Sequence, residues 1–150
     1  MIFNILIAFI LPWIVGILHL YRKDKKIIPL IGSFFCIIAF VVNEFGFYYG
    51  FWKVAPFFDQ KTLSALPFNL GLYPMLASYL IFFVKKTQRP YLMIFFISLF
   101  TTFLEMTLVL SGKVVYGNNW NNIWTFFSYF ISYMWVYWYY LHLKKLQIMS

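Results

Sequence analysis

The chain has 150 residues, of which 63% are hydrophobic, 25% aromatic and only 11% charged, and its formal net charge is +8. A soluble domain carries about 25% charged residues, so this composition describes a membrane protein and leaves no room for a soluble catalytic domain. The basic residues stand in short clusters at the ends of apolar segments, where membrane topology accounts for them and nucleic-acid binding does not.

Five apolar segments follow one another, each close to the roughly 20 residues that a spanning helix needs. The first runs from Ile2 to Tyr21 and is followed by Arg22, Lys23, Asp24, Lys25 and Lys26. A secretory signal would begin with its basic residues, so this segment is expected to be retained as a helix. The second runs from Ile27 to Gly50, with Pro29 in its first turn, where a missing N–H costs little. It contains Cys36, which has no partner for a disulfide or a zinc site and is expected to be a small packed residue. The third, Leu66 to Val84, contains Pro67 and Pro74; Pro74 is expected to kink it, and the backbone groups freed there need a partner in a neighbouring helix. The fourth runs from Tyr91 to Gly112 after Pro90, and the fifth from Asn122 to Leu143, ending at Lys144 and Lys145. The fold expected is an all-α polytopic membrane protein, a single domain over residues 1–150.

Orientation follows from the basic residues. Arg22, Lys23, Lys25, Lys26, Lys85, Lys86, Arg89, Lys144 and Lys145 fall on one side, and Lys53, Lys61 and Lys113 on the other. The richer side is cytoplasmic, which puts the N-terminus outside and the C-terminus inside. Tyr48, Tyr49, Trp52, Tyr116, Trp120 and Trp124 then flank the outer ends of the helices as interfacial anchors.

Two glutamates stand inside these apolar runs, and a carboxylate in hydrocarbon is costly enough to mark a functional site. At about 1.5 Å rise per residue, Glu44 lies roughly 26 Å and Glu105 roughly 21 Å from the cytoplasmic boundary. Both therefore fall in the outer third of a core about 30 Å thick. Asn69, Trp124 and Ser128 reach the same layer, Asn43 adjoins Glu44, and Thr101 and Thr102 precede Glu105 on its helical face. The expected ligand-binding set is Glu44, Glu105, Asn43, Asn69, Tyr48, Trp52, Trp120, Trp124, Ser128 and Thr101, around one outward-facing pocket. Such a pocket suits a small cation or amine headgroup, a lipid, or a partner helix or second copy of the chain. If the two carboxyl groups face one cavity, they also suit the acid and base of a membrane enzyme acting on a lipid or isoprenoid. A transporter needs polar residues continuing inward, where only Ser33, Ser78, Ser98, Ser132, His19 and His142 occur. His19 and His142 both lie near cytoplasmic helix ends and make a poor metal site without an acidic or thiolate partner. No nucleophile motif, phosphate loop or zinc spacing is present, and no cofactor is expected. The segment from Phe51 to Ala65 is apolar enough to fold over the helices as a lid, and Lys113 to Asn121 carries a Gly-Asn-Asn turn signature.

The order of Tyr48-Tyr49, Trp52, Leu66-Pro67, Asn69, Pro74, Glu105, Tyr116, Trp120 and Ser128-Tyr129 resembles that of the CBO-type family of small multi-pass membrane proteins from Bacillus and Clostridium relatives. The resemblance covers about Tyr48 to Tyr133. It implies the plasma membrane of a Gram-positive bacterium and no particular activity. A fainter likeness is to lycopene-cyclase-type membrane domains, which carry adjacent carboxylates after the proline where this chain has Pro67-Phe68-Asn69.

Overall fold

Apolar segments of this length satisfy their own backbone only as helices. The computed structural model describes residues 1–150 and contains five of them: α1 (Asn4–Tyr21), α2 (Ile28–Tyr48), α3 (Lys61–Thr87), α4 (Pro90–Leu110) and α5 (Asn122–Lys145). The first four are long and apolar enough to cross a membrane, as a membrane protein requires. The last is as long, but its sequence holds more tyrosine and tryptophan than aliphatic residues. Helix ends follow local chemistry. Pro90 opens α4, where its missing N–H is harmless. Asn121 caps α5, its Oδ1 accepting from the backbone N–H groups of Ile123 and Trp124 at 2.9 and 3.2 Å. Gln88, at φ 56°, ends α3.

The connections at one end of the bundle hold more structure than the sequence suggested. Two short strands, β1 (Trp52–Val54) and β2 (Val114–Tyr116), pair antiparallel with Trp52 opposite Tyr116 and Val54 opposite Val114. This ribbon joins the α2–α3 loop to the α4–α5 loop. Its entry demands glycine at two places: Gly50 has φ +68°, and a Cβ on Gly117 would stand 2.7 Å from the Gly50 carbonyl oxygen. Asn4 locks the start of α1 to the same end, its buried amide donating to the carbonyls of Ala55 at 2.6 Å and Ser64 at 2.9 Å.

The α1–α3 crossing explains how the proline-bearing helix holds together. Pro74 has no N–H for the carbonyl four residues back, that of Leu70, and this carbonyl accepts instead from the indole N–H of Trp13 on α1 at 2.9 Å. The helix runs on through Pro67 and Pro74 without a break, with a widened turn over Phe68–Leu72. On the α1 side the carbonyl that Pro12 leaves free is that of Ala8, and it lies against Gly71: a Cβ there would stand 2.1 Å from it. The small residue lets the two backbones meet, as in small-residue contacts between membrane helices.

The aliphatic and aromatic core, including Leu20, Ile31, Leu80, Ile94, Tyr133 and Val136, fills the end of the bundle away from the ribbon. Buried polar side chains, Asn43, Asn69, Thr101 and Thr125 among them, gather nearer the ribbon. Arg22–Lys26, Lys85–Arg89 and Lys144–Lys145 share the core-side end, where Lys85 meets Asp24 at 2.5 Å. Lys53, Lys61 and Lys113 share the ribbon end, where Lys113 lies over the Phe3 ring at 4.9 Å.

Gly71→Ala should force α1 away from α3 and destabilise the protein by about 1–3 kcal/mol. A clear drop in melting temperature in detergent, followed by tryptophan fluorescence, is expected; an unchanged melting temperature would mean that the two helices do not meet there.

Candidate functional site

Glu105 lies about one and a half turns before the end of α4, facing α5, α3 and the ribbon, and no basic side chain accompanies it. The Tyr116 hydroxyl, carried by β2, donates to Glu105 Oε1 at 2.7 Å, and the Tyr129 hydroxyl, from α5, donates to Oε2. The Tyr73 hydroxyl on α3 lies 3.2 Å from that of Tyr129. Tyr129 has one proton and gives it to the carboxylate, so Tyr73 is the donor between the two phenols. Thr125 extends the network at the ribbon end: its Oγ1 lies 2.9 Å from the Tyr116 hydroxyl, accepts from the Trp120 indole N–H at 2.8 Å and bonds the Asn121 carbonyl at 3.1 Å. Burial and the Glu105 charge push the Tyr116 phenol above its ordinary range, so it stays a donor throughout the physiological range.

A cavity of about 40 Å³ adjoins this carboxylate. Its apolar wall is Phe35, Ile38, Ala39 and Val42 of α2, and its polar wall includes Asn43, Ser128 and Ser132. Trp52 and Trp120 lie across its ribbon end, edge to face with ring centres 5.0 Å apart. Trp52 is fixed from two directions. Its indole N–H donates to Asn43 Oδ1 at 3.0 Å, and its ring lies on Gly46, where a Cβ would come within 2.0 Å of it. Asn43 in turn donates to Asn69 Oδ1 at 2.5 Å, and the Asn69 Nδ2 meets no acceptor within the protein.

Of the residues expected to bind ligand, Glu105, Asn43, Trp52, Trp120 and Ser128 line this cavity. Asn69 stands behind Asn43 and takes part through it. The expectation that Glu44 and Glu105 share one hollow is overturned. Glu44 is exposed, accepts from the Thr62 hydroxyl, and lines a separate depression with Asp59, Lys61 and Thr62. Asn43 and Glu44 are successive helix residues about 100° apart around the axis, so the one faces the bundle and the other leaves it. Tyr48 and Trp124, 83% and 57% exposed, point away from the site. Thr101 is buried one turn below Glu105, where it meets the Tyr133 hydroxyl at 2.8 Å. His19 pairs with Tyr79 at 3.0 Å, and no cluster of metal-ligating side chains forms.

The tyrosines are what the sequence did not single out. Tyr116 was expected as an interfacial anchor, and Tyr73 carried no signal beyond its place one residue before Pro74. Their common feature is a phenol on three different elements at one depth, which becomes visible only once the ribbon returns Tyr116 over α4.

No protein-family model matches this chain. Nor does any curated protein or solved structure show a significant match. The likeness to CBO-type proteins therefore rests on residue order in the sequence alone.

Tyr116→Phe and Tyr129→Phe should each destabilise the protein by about 1.5–3 kcal/mol, the range for hydrogen bonds to a charged group. Because both donors serve one carboxylate, the double variant should depart from the sum of the single effects by more than about 0.5 kcal/mol. Strict additivity in chemical or thermal unfolding would show that the two phenols do not share Glu105.

Proposed function

We propose that the protein is a five-span plasma-membrane protein, ribbon end and N-terminus outside and C-terminus in the cytoplasm, that binds a small monovalent cation at Glu105. The orientation is supported by the gathering of nine basic residues at the end opposite the ribbon, against three at the ribbon end. A bacterial, Gram-positive setting rests on the resemblance in residue order. The observation that carries the binding reading is a carboxylate with no basic partner, beside a cavity of about 40 Å³ walled by indole and phenol rings.

Charge and size select the ligand. One carboxylate balances one positive charge, whereas calcium takes about six to eight oxygen ligands and magnesium keeps several waters beside its one or two carboxylates. The Tyr129 oxygen, which donates its proton to Glu105 and accepts from Tyr73, keeps one lone pair for a cation, and Ser128, Ser132 and Asn43 add further oxygens. The faces of Trp52, Trp120, Tyr73 and Tyr129 attract a weakly hydrated cation such as ammonium or an alkali ion. The volume admits an ion or a few waters, since one water needs about 10–15 Å³. It falls far below the roughly 300 Å³ from which sites for organic molecules begin. Size thus weighs against a lipid or isoprenoid substrate at Glu105, and the second carboxylate that an acid–base enzyme needs, Glu44, opens elsewhere. The aliphatic and aromatic packing toward the other end weighs against a through-path.

Trp52 and Trp120 make occupancy visible. Titrating purified protein with ammonium or sodium chloride, against choline chloride at equal ionic strength, should give a saturable change in tryptophan fluorescence. Glu105→Gln should weaken it by at least about tenfold, as expected when the charged partner of a buried cation is removed, and Glu44→Gln should leave it intact. Equal responses from wild type and Glu105→Gln would remove the site. For the orientation, cysteines placed at Lys113 and Lys86 should react with a membrane-impermeant maleimide from outside and inside respectively, and labelling from one side only would overturn the topology.

A further inference from the structure

The end of the bundle opposite Glu105 carries a second constructed feature. A recess of about 710 Å³ is lined by Lys23, Lys25, Lys26, Lys85 and Lys144, with the last residues of the chain forming one wall. That wall is held in place: Met149 is buried in the core, Lys26 Nζ donates to the Ile148 carbonyl at 2.9 Å, and the Tyr140 hydroxyl donates to a main-chain oxygen of Ser150 at 2.9 Å. Asp24 is the acidic side chain of the recess and is committed to Lys85 at 2.5 Å. Burial alone would raise its pKa, but the Lys85 hydrogen bond and the Lys26 backbone N–H outweigh burial and hold it below the ordinary carboxylate range. It therefore stays an anion paired with Lys85. Lys23, Lys25 and Lys144 face the recess and make no ion pair; Lys23 rests its ammonium 5.5 Å from the centre of the Phe82 ring.

We propose that this recess binds the phosphate of an anionic phospholipid headgroup. Its volume lies within the roughly 300–1,000 Å³ of organic-ligand sites, unlike the Glu105 cavity. Lysines act as point charges, without the planar fork of arginine, so they select negative charge over headgroup shape. Its position favours a lipid over a free anion. The α1–α2 turn that supplies Lys23, Lys25 and Lys26 is flanked by Tyr21, Ile28 and Pro29, and these residues belong to an apolar groove of about 480 Å³ shared with Trp13, Ile17 and Met75. A phospholipid anchored by its phosphate at the turn has apolar surface on the protein beside it for an acyl chain, which a soluble phosphate cannot use. Juxtamembrane lysines attract anionic lipids strongly enough for three of them to matter.

Native mass spectrometry of the detergent-solubilised protein, titrated with phosphatidylglycerol or phosphatidylcholine, tests this. Phosphatidylglycerol should bind at least about tenfold more tightly, and the combined Lys23→Gln, Lys25→Gln, Lys144→Gln variant should lose about a hundredfold of that affinity while keeping the wild-type melting temperature. The corresponding arginine variant should retain binding, and Lys53→Gln with Lys113→Gln, at the ribbon end, should leave it unchanged. Equal affinity for the two lipids, or undiminished phosphatidylglycerol binding in the glutamine variant, would overturn the proposal. Displacement of phosphatidylglycerol by inorganic phosphate at matched concentration would also overturn it, by showing a soluble-anion site.

Discussion

A carboxylate enclosed among apolar helices must be satisfied by whatever donors the protein can deliver, because leaving it bare costs several kcal/mol. Here the donors are phenols. Tyr116 and Tyr129 supply hydrogen bonds without a counter-charge, so Glu105 is held in place and yet not neutralised by a basic neighbour. That requirement reaches far into the fold. Tyr129 arrives on α5, whose start is fixed by the Asn121 cap, and Tyr116 arrives on a strand whose register against β1 sets Trp52 directly opposite it. The same ribbon therefore delivers a donor to Glu105 and, through Trp52, a donor to Asn43. A two-stranded ribbon has little stability by itself; here the side-chain bonds at Glu105 and Asn43 and the stacking of Phe51 on Trp120 at 4.8 Å hold it against the helices.

The backbone presents the same demand in a second form. Prolines at 12 and 74 each free a carbonyl inside an apolar bundle, and the two lie on facing helices close to one another along the α1–α3 crossing. Trp13 meets one with its indole N–H. The other, on Ala8, lies against Gly71, where the missing side chain permits the approach. The crossing thus gives one of these carbonyls an interhelical hydrogen bond and brings the other against a neighbouring backbone, and α3 stays continuous through both of its prolines.

What the sequence reveals is set by which coordinate it encodes. Length and hydropathy give helix positions along the chain, and the five apolar segments match the five helices, with α3 and α5 extending a little further than their apolar cores. Rise per residue gives depth, which correctly puts Glu105, Asn43, Asn69 and Ser128 in one layer near the ribbon end. Depth says nothing of angle. Glu44 has the right depth and the wrong azimuth, and the same holds for Tyr48 and Trp124, whose side chains leave the bundle. Thr101 has the right face but bonds Tyr133 one turn lower. The ribbon was illegible for a different reason: three residues per strand are too few for an alternating pattern, and its stability comes from side chains distant in sequence. Tyr116 and Tyr73 followed it into obscurity, because a tyrosine near a helix end serves equally as an interfacial anchor or as a buried donor, and only the partner decides.

The two ends of the bundle solve opposite electrostatic problems. Near the ribbon, a single carboxyl group is partly enclosed, and neutral donors at short range hold it without filling its cavity. At the other end, several positive charges accumulate, and they remain tolerable because their recess is open and each ammonium can reach water on a flexible stem. Exchanging the two would fail on both counts: lysines could not enter a 40 Å³ cavity without losing their hydration, and a lone carboxylate in an open recess would need no tyrosines. Burial thus determines which chemistry each end can carry, and the separation of the charges along the helices is what the proposed orientation rests on.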